Sequence, residues 1–306
     1  MMLDTGLIDG FLSASVRIAT PLLLAALGEM LAERGGVINL GIEGAMLSGA
    51  LAAALGAASG GAWAGLAASA AAGLALALVF ALVAIGARAD QIISGTATTL
   101  LAVGLTGAVY QAAFGSAGAG LSLPTLGPFR IPGLAAMPFV GSALFNQPVT
   151  TYLALLAVPT CWWFLFRTRT GLALRAVGES PGRARAAGVG ARRMQFGATL
   201  AGGVFAGLAG GTLVLAQVGT FAERMTAGRG FIAIAIVVLG RWHPVGVLGA
   251  ALLFGGATAL QFVFQSMGLA VPYQLFLVLP YVLTLLLLAG LVGGVKAPAA
   301  LGRAAE

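Results

Sequence analysis

Long apolar stretches recur along this whole chain and limit what it can fold into. A membrane-spanning helix needs about 20 mostly apolar residues. Candidate segments lie at 11–33, 36–57, 62–86, 91–114, 150–166, 195–216, 229–241, 246–267 and 273–291. The segment at 229–241 is short, which predicts a half-helix or a re-entrant segment. We expect an all-α polytopic membrane protein with about nine hydrophobic segments (eight to ten), forming a single transmembrane domain over residues 1–306.

Composition supports a membrane protein over a soluble one. Charged residues make up 8% of the 306 residues and apolar residues 59%, whereas a soluble domain carries about 25% charged residues. The 47 glycines are typical of membrane helices that pack closely. Glycines repeat every four residues at Gly203, Gly207 and Gly211, and this spacing predicts a helix-packing face.

The low numbers of cysteine, histidine and lysine residues exclude several kinds of chemistry. The chain has one cysteine, Cys161, and one histidine, His243, too few for a Cys/His zinc cage. Its one lysine, Lys296, precedes Ala297, whereas a phosphate-binding loop needs Gly-Lys followed by Ser or Thr. We therefore expect no catalytic residue, no metal site and no cofactor, and any ATP hydrolysis would belong to a partner.

Basic residues indicate how the chain crosses the membrane. The segment 167–194 holds seven of the 16 basic residues, so the positive-inside rule predicts that it is cytoplasmic. Counting segments from there makes 115–149 an extracytoplasmic loop, places the C-terminus inside and the N-terminus outside, and distributes twelve basic residues inside against three outside.

Polar side chains at membrane depth are costly and are functional candidates by default. Such side chains that could line a solute pathway are Asn39, Glu43, Gln91, Ser94, Thr98 and Gln217. Asn39 and Glu43 share a helix face by their spacing, as do Gln91, Ser94 and Thr98. The alternatives are that Asn39 lies at the interface, that Glu43 pairs with Arg34, and that Ser and Thr bond their own helix backbone.

The basic segment contains a predicted short helix. Ser180-Pro181 is typical of an N-cap followed by proline at the first helical position, and Gly188 can end the helix after Ala187. Arg183 and Arg185 would then be available to an acidic partner. The alternative is a solvated positive loop that only sets orientation.

Four stretches together carry a family resemblance: GEMLAERGGVINLGIEGAMLSGALAAAL (28–55), DQIISGTATTLLAVGLT (90–106), TRTGLALRAVGESPGRARAAGV (168–189) and GRGFIAIAIVVLGRWHPVGVLGAALLFG (228–255). They resemble the inner-membrane permeases of binding-protein-dependent ABC importers, in the branch of branched-chain amino acid and simple-sugar permeases. ERGGVINLGIEG followed by DQIISG is most similar to the nucleoside permeases. TATTL at 96–100 departs from the more apolar or Asn-containing stretch of the family, which leaves the solute open.

The resemblance implies a set of partners and a location. These are an ABC ATPase subunit, a second homologous permease in a heterodimer, an extracytoplasmic solute-binding protein or lipoprotein, and the lipid of a bacterial inner membrane, without nucleic acid. It also implies that the cytoplasmic helix couples to the ATPase through Gly178, Glu179, Ser180, Pro181, Arg183, Arg185 and Gly188. Movement of packed helices would then alternate access to the pathway.

Other functions remain as alternatives to a nucleoside importer. The solute could be a simple sugar or a branched-chain amino acid. An ion-coupled secondary transporter should show ionisable residues at the bilayer midplane, but apart from Glu43 and Arg17 the charges cluster at segment ends. An intramembrane enzyme would need a constellation of nucleophile, base or metal ligands.

Overall fold

Helices account for most of the chain in the computed structural model, which describes residues 5–115, 122–137, 141–266, 278, 282 and 296–303. The α-helices are α1 (Thr5–Arg34), α2 (Ile42–Ala81), α3 (Gln91–Phe114), α4 (Gly141–Phe145), α5 (Val149–Arg167), α6 (Arg169–Glu179), α7 (Pro181–Ala186), α8 (Ala191–Thr212), α9 (Arg229–Leu239) and α10 (Pro244–Ser266). Single π-helical turns at Leu82–Gly86 and Leu213–Val218 extend α2 and α8, and a 3₁₀ turn covers Leu134–Ala136. The short strands β1 (Pro128–Arg130) and β2 (Asn146–Pro148) pair antiparallel.

Six helices of the described chain are long and apolar enough to cross a membrane. They are Ile8–Arg34, Ile42–Gly86, Gln91–Phe114, Val149–Arg167, Ala191–Val218 and Pro244–Gln265. This confirms an all-α polytopic architecture, but it does not confirm the predicted count of nine. The predicted segments 36–57 and 62–86 together overlap α2 and the π-helical turn after it, and 229–241 corresponds to the 11-residue helix α9. The predicted segment 273–291 lies outside the described residues.

Helix α2 is two antiparallel halves joined at Gly61. The backbone there has φ +81° and ψ 175°, a conformation that glycine adopts without steric cost. In a straight helix, Gly49 and Gly73 would be separated by about 36 Å. Methyl groups added at Gly49 and at Gly73 would instead each lie 2.6 Å from the Cα of Gly207 in α8. The chain therefore doubles back, and both halves of α2 contact one helix.

Glycines along α8 make this contact possible. A methyl group on Gly203 would collide with Ala77 and Gly73, and one on Gly202 would lie 2.9 Å from the carbonyl oxygen of Gly28 in α1. A methyl group on Gly210 would collide with Met46. Because lipid tails give helices no hydrophobic drive to associate, such close backbone contact supplies much of the attraction between them. The predicted packing role of the α8 glycines is confirmed.

The two ends of the helix bundle differ in what they bring together. At one end, here called the basic end, Arg34 Nε donates to the Trp242 carbonyl (2.8 Å), Arg192 donates to the Gly86 carbonyl (2.6 Å), and residues 296–303 contact the turn after α1. At the other, here called the loop end, β1 and β2 lie near the start of α1, and Gln147 Nε2 donates to Ser13 Oγ (3.0 Å). Helix α1 runs between these ends.

The glycine contact predicts a clear difference between two substitutions on α8. Gly207→Ala would place its methyl group against the carbonyl of Ser69 and 3.0 Å from Gly73 Cα, whereas a methyl group at Gly197 meets nothing within 4 Å. We expect Gly207→Ala to lower the free energy of unfolding by about 1–3 kcal/mol or more. Gly197→Ala should be neutral or slightly stabilising. Thermal unfolding of the detergent-purified variants measures both, and equal melting temperatures would contradict the packing described.

Candidate functional site

The six predicted pathway residues do not form one cluster. Asn39 lies in the connection between α1 and α2, at residues 35–41, and Gln91 and Thr98 contact that connection from α3. Ser94 lies on the same face of α3 as Gln91 and Thr98, and all three are buried. Glu43 contacts the start of α9. Gln217 is at the loop end, where its Nε2 donates to the Arg17 carbonyl (2.7 Å).

The 35–41 connection is held by side-chain hydrogen bonds from several elements. The backbone amide of Asn39 donates to Glu29 Oε1 (2.8 Å), and the side-chain Oδ1 of Asn39 accepts from the backbone amide of Gly41 (3.0 Å). Gln91 Oε1 accepts from the Ile38 amide (2.8 Å), while its Nε2 donates to the Arg303 carbonyl (3.0 Å). Asn39 and Gln91 thus fix the backbone of this connection.

Helix α3 presents its polar face to the same connection. Asp90 caps the helix by accepting from the amides of Ile92 and Ile93 (both 2.9 Å). Thr98 Oγ1 donates to its own helix at the Ser94 carbonyl (2.7 Å), as the packing alternative predicts. A methyl group on Gly95 would lie 2.9 Å from the Gly41 nitrogen, so α3 and the connection approach at the backbone.

Between α8 and α9 the chain leaves helical geometry within the bundle. Phe221 packs against Tyr110 near the end of α3, with tilted rings whose centroids are 5.1 Å apart. Further on, Gly230 is so close to α2 that a methyl group on it would lie 2.6 Å from Glu43 Cα. Helix α9 then runs about 16 Å towards Trp242 at the basic end. The prediction of a half-helix or re-entrant segment is confirmed as a half-helix preceded by irregular backbone at 219–228.

Glu43 satisfies the backbone donors at this break. Its Oε1 accepts from Thr226 Oγ1 (2.6 Å) and the Gly228 amide (2.8 Å), and its Oε2 accepts from the Gly230 amide (2.6 Å). Gly228 and Gly230 stand at the N-terminus of α9, where amides have no partner within the helix and a negative charge is favoured. The predicted alternative of a Glu43–Arg34 pair is wrong, since Arg34 bonds Trp242 instead.

The backbone of the irregular segment is strained. Arg224 and Ala227 have φ values of +57° and +47°, which is uncommon for residues other than glycine. Glu223 and Arg224 are exposed at the surface of the chain, while Thr226 beside them is buried. Strain of this kind persists only where surrounding contacts hold it, and it is frequent at ligand sites.

Two buried carboxylates in α1 were missed from the sequence. Glu29 and Glu33 are 1% and 2% exposed. Glu29 Oε1 accepts from the backbone amide of Asn39, and Glu33 Oε2 accepts from the indole Nε1 of Trp242. The signal was present, because residues four apart share a helix face. Their position near the end of an apolar segment concealed it.

The short helix predicted within the basic segment is present. Helix α7 spans Pro181–Ala186, with Ser180 as N-cap, Pro181 at its first position and Gly188 at φ +82° after it. Glu179, Arg183 and Arg185 are exposed. These local signals were strong enough to set both ends of the helix to within one residue.

The base of α7 is fixed to the basic end of the bundle. Gly178, which precedes α7, lies so close to the Arg34 carbonyl that a methyl group would collide with it. The Gly178 carbonyl accepts from the Ala300 amide (2.9 Å), and the Gly302 amide donates to the Gly36 carbonyl (3.3 Å). Displacement of α7 would therefore act directly on the end of α1.

Within the described residues, no group of three or more His, Cys, Asp and Glu side chains is placed to hold a metal ion. The ring of His243 packs against that of Phe166, with centroids 5.3 Å apart. Cys161 is buried in α5.

Comparison with known proteins identifies similar chains. The family described as branched-chain amino acid transport system, permease component, matches residues 11–288. A guanosine ABC transporter permease protein of Bacillus subtilis is 38% identical, over 94% of this chain and 94% of its own. A nucleoside ABC transporter permease protein of Lactococcus lactis is 32% identical, over 93% of this chain and 92% of its own.

A sugar permease is also similar. A putative glucose ABC transporter permease protein of Haloferax volcanii is 44% identical, over 85% of this chain and 79% of its own. Solved structures give no significant match.

The Glu43 contacts predict a specific loss of stability. Glu43→Gln keeps the side-chain size but turns one acceptor oxygen into an amide donor, which leaves Gly228 or Gly230 without a partner. Each unsatisfied buried donor costs about 1–3 kcal/mol, so the melting temperature should fall. The exposed Glu223→Gln removes the same charge and should leave it unchanged. Equal melting temperatures for the two variants would contradict this account.

Proposed function

Because this chain belongs to the family of permease components of the branched-chain amino acid transport system, we propose that it is the permease of an ABC importer for nucleosides. The observation that carries this is the similarity, over nearly the full length of both chains, to permeases named for guanosine and nucleosides. The chain is a multi-pass membrane protein, with helices long and apolar enough to span a bilayer.

Glucose is the second candidate solute. It is favoured by the 44% identity to the putative glucose permease of Haloferax volcanii. Both solutes are uncharged and rich in hydrogen-bonding groups, and a nucleoside adds a planar base. The polar amides and hydroxyls of the proposed pathway suit either chemistry better than that of an ion.

We place the solute pathway along the break before α9 and the polar face of α3. Discontinuous helices in transporters offer unpaired backbone groups to solutes near the middle of the bilayer. Glu43 would hold the break in shape, and Asn39, Gln91, Ser94 and Thr98 would support the adjoining connection. Gln217, which lines a cavity of about 250 Å³ with Arg17 and Gly219 at the loop end, would belong to the mouth. A second, homologous permease would close the other side.

The two ends of the helix bundle would bind different partner proteins. The basic end would face the cytoplasm, where α7 and the flanking residues Gly178, Glu179 and Gly188 would dock on a separate ATPase subunit. The loop end, with residues 115–149, would face outward and receive solute from a binding protein. ATP-driven movement of the docked ATPase would reach α1 through the contact between Gly178 and Arg34.

The solute assignment is tested by competition. Cells that express this permease with its partner subunits should take up radiolabelled guanosine. Excess unlabelled adenosine or uridine should reduce the uptake, and an equal excess of glucose or leucine should not. Inhibition by glucose with no guanosine uptake would favour the sugar permease instead.

The coupling role of α7 is tested by charge reversal. Arg183→Glu combined with Arg185→Glu should abolish ATP-dependent uptake, because both guanidinium groups project from the proposed docking helix. Arg167→Glu combined with Arg169→Glu changes the same charge at the junction of α5 and α6 and should retain most uptake. Copurification of the tagged chain with its ATPase should be lost only for the first pair. Wild-type uptake with Arg183 and Arg185 reversed would refute the proposed docking.

A further inference from the structure

A basic cavity opens beside α7 at the basic end of the bundle. It has a volume of about 270 Å³, and its walls include Arg88, Arg185, Arg192 and Arg193 together with Gly190. Among the described residues that line it, none is acidic. Cations gathered in a cleft in this way create a positive field that concentrates anions.

The cavity is built by fixed backbone rather than by loose surface arginines. Arg192 donates from Nη2 to the carbonyls of Ile85 (2.8 Å) and Gly86 (2.6 Å), which ties the start of α8 to the end of α2. Arg88, two residues after Gly86, has a backbone φ of +59°. Gly190 is the N-cap of the 22-residue helix α8 and offers no side-chain cap, so the field of the helix terminus adds to that of the guanidinium groups.

An apolar strip leads from the membrane to this cavity. On the second half of α2 and the π-helical turn after it, Leu74, Leu78, Val79, Leu82 and Val83 are 40–54% exposed. Their spacing of three to four residues places them on one helix face. That face ends beside Gly86, whose carbonyl accepts from Arg192. The apolar surface therefore ends close to the basic cavity, of which Arg192 is a wall.

We propose that this cavity binds the phosphate headgroup of an anionic phospholipid, with its acyl chains lying along the α2 strip. Basic pockets between transmembrane helices are suited to such headgroups. Asp90, two residues after Arg88, does not line the cavity; its Oδ1 accepts from the Ile92 and Ile93 amides at the start of α3. The site goes beyond the transport function and does not depend on which solute is carried.

Lipid retention by the purified full-length chain tests the assignment. The chain in mild detergent is titrated with dioleoyl-phosphatidylglycerol or dioleoyl-phosphatidylcholine, and bound lipid is counted by native mass spectrometry. We expect one phosphatidylglycerol site at least about tenfold tighter than any phosphatidylcholine site, weakened by salt. Equal affinity for the two lipids in the wild-type chain would overturn the proposal, whatever the variants do.

Matched variants locate the site. Arg88→Gln combined with Arg193→Gln should lower phosphatidylglycerol affinity about tenfold, while Arg130→Gln combined with Arg169→Gln, which removes equal charge outside the cavity, should not. Equal losses from both pairs would overturn the proposed location. Displacement of the lipid by millimolar inorganic phosphate would assign the cavity to a soluble anion and overturn the lipid. Displacement by the bound ATPase subunit would assign it to that interface, with the same consequence.

Discussion

The carboxylate of Glu43 is the interaction on which the centre of the molecule depends. Backbone amides that the fold withdraws from water must find partners within the protein. The chain leaves helical geometry at 219–228 and resumes it at α9, and Glu43 receives the Gly228 and Gly230 amides and the Thr226 hydroxyl. Three donors and the N-terminal end of a helix are directed at it, so the hydrogen-bonding groups that are buried here are paired.

Close packing of glycines places Glu43 where it is needed. The halves of α2 can both contact α8 only because Gly49, Gly73 and Gly207 carry no side chain at their common point of approach. This contact positions the start of α2, and therefore Glu43, against the segment that follows α8. The break before α9 therefore depends on the packing of α2 against α8. A methyl group added at this glycine contact should disturb the break as well.

The sequence predicted structure best where the signals were local. Ser180, Pro181 and Gly188 predicted α7 almost to the residue, because caps act within one turn. The predicted boundary between segments 36–57 and 62–86 likewise coincides with the turn at Gly61. The half-helix at α9 was anticipated from its length alone.

Long-range partners could not be predicted in the same way. Glu43 was predicted as a pathway residue because it is a polar group within an apolar segment. Its partners lie more than 180 positions away along the chain, and the hydrophobic periodicity of a segment does not indicate such distant contacts. Glu29 and Glu33 looked like interfacial charges until the fold enclosed them beside Asn39 and Trp242. Gln91 looked like a pathway residue, and its bonds to Ile38 and Arg303 depend on where residues 296–303 lie.

Amide hydrogen exchange at the break tests the central role of Glu43 most directly. In the full-length chain in lipid nanodiscs, exchange is followed to single residues over 219–232. The account predicts that the Gly228 and Gly230 amides are strongly protected in the wild-type chain and that Glu43→Gln removes the protection of one of them, because only one side-chain oxygen remains as an acceptor. The Ala45 amide, which donates to the Gly41 carbonyl, should stay protected. Rapid exchange of Gly228 and Gly230 in the wild-type chain would contradict it.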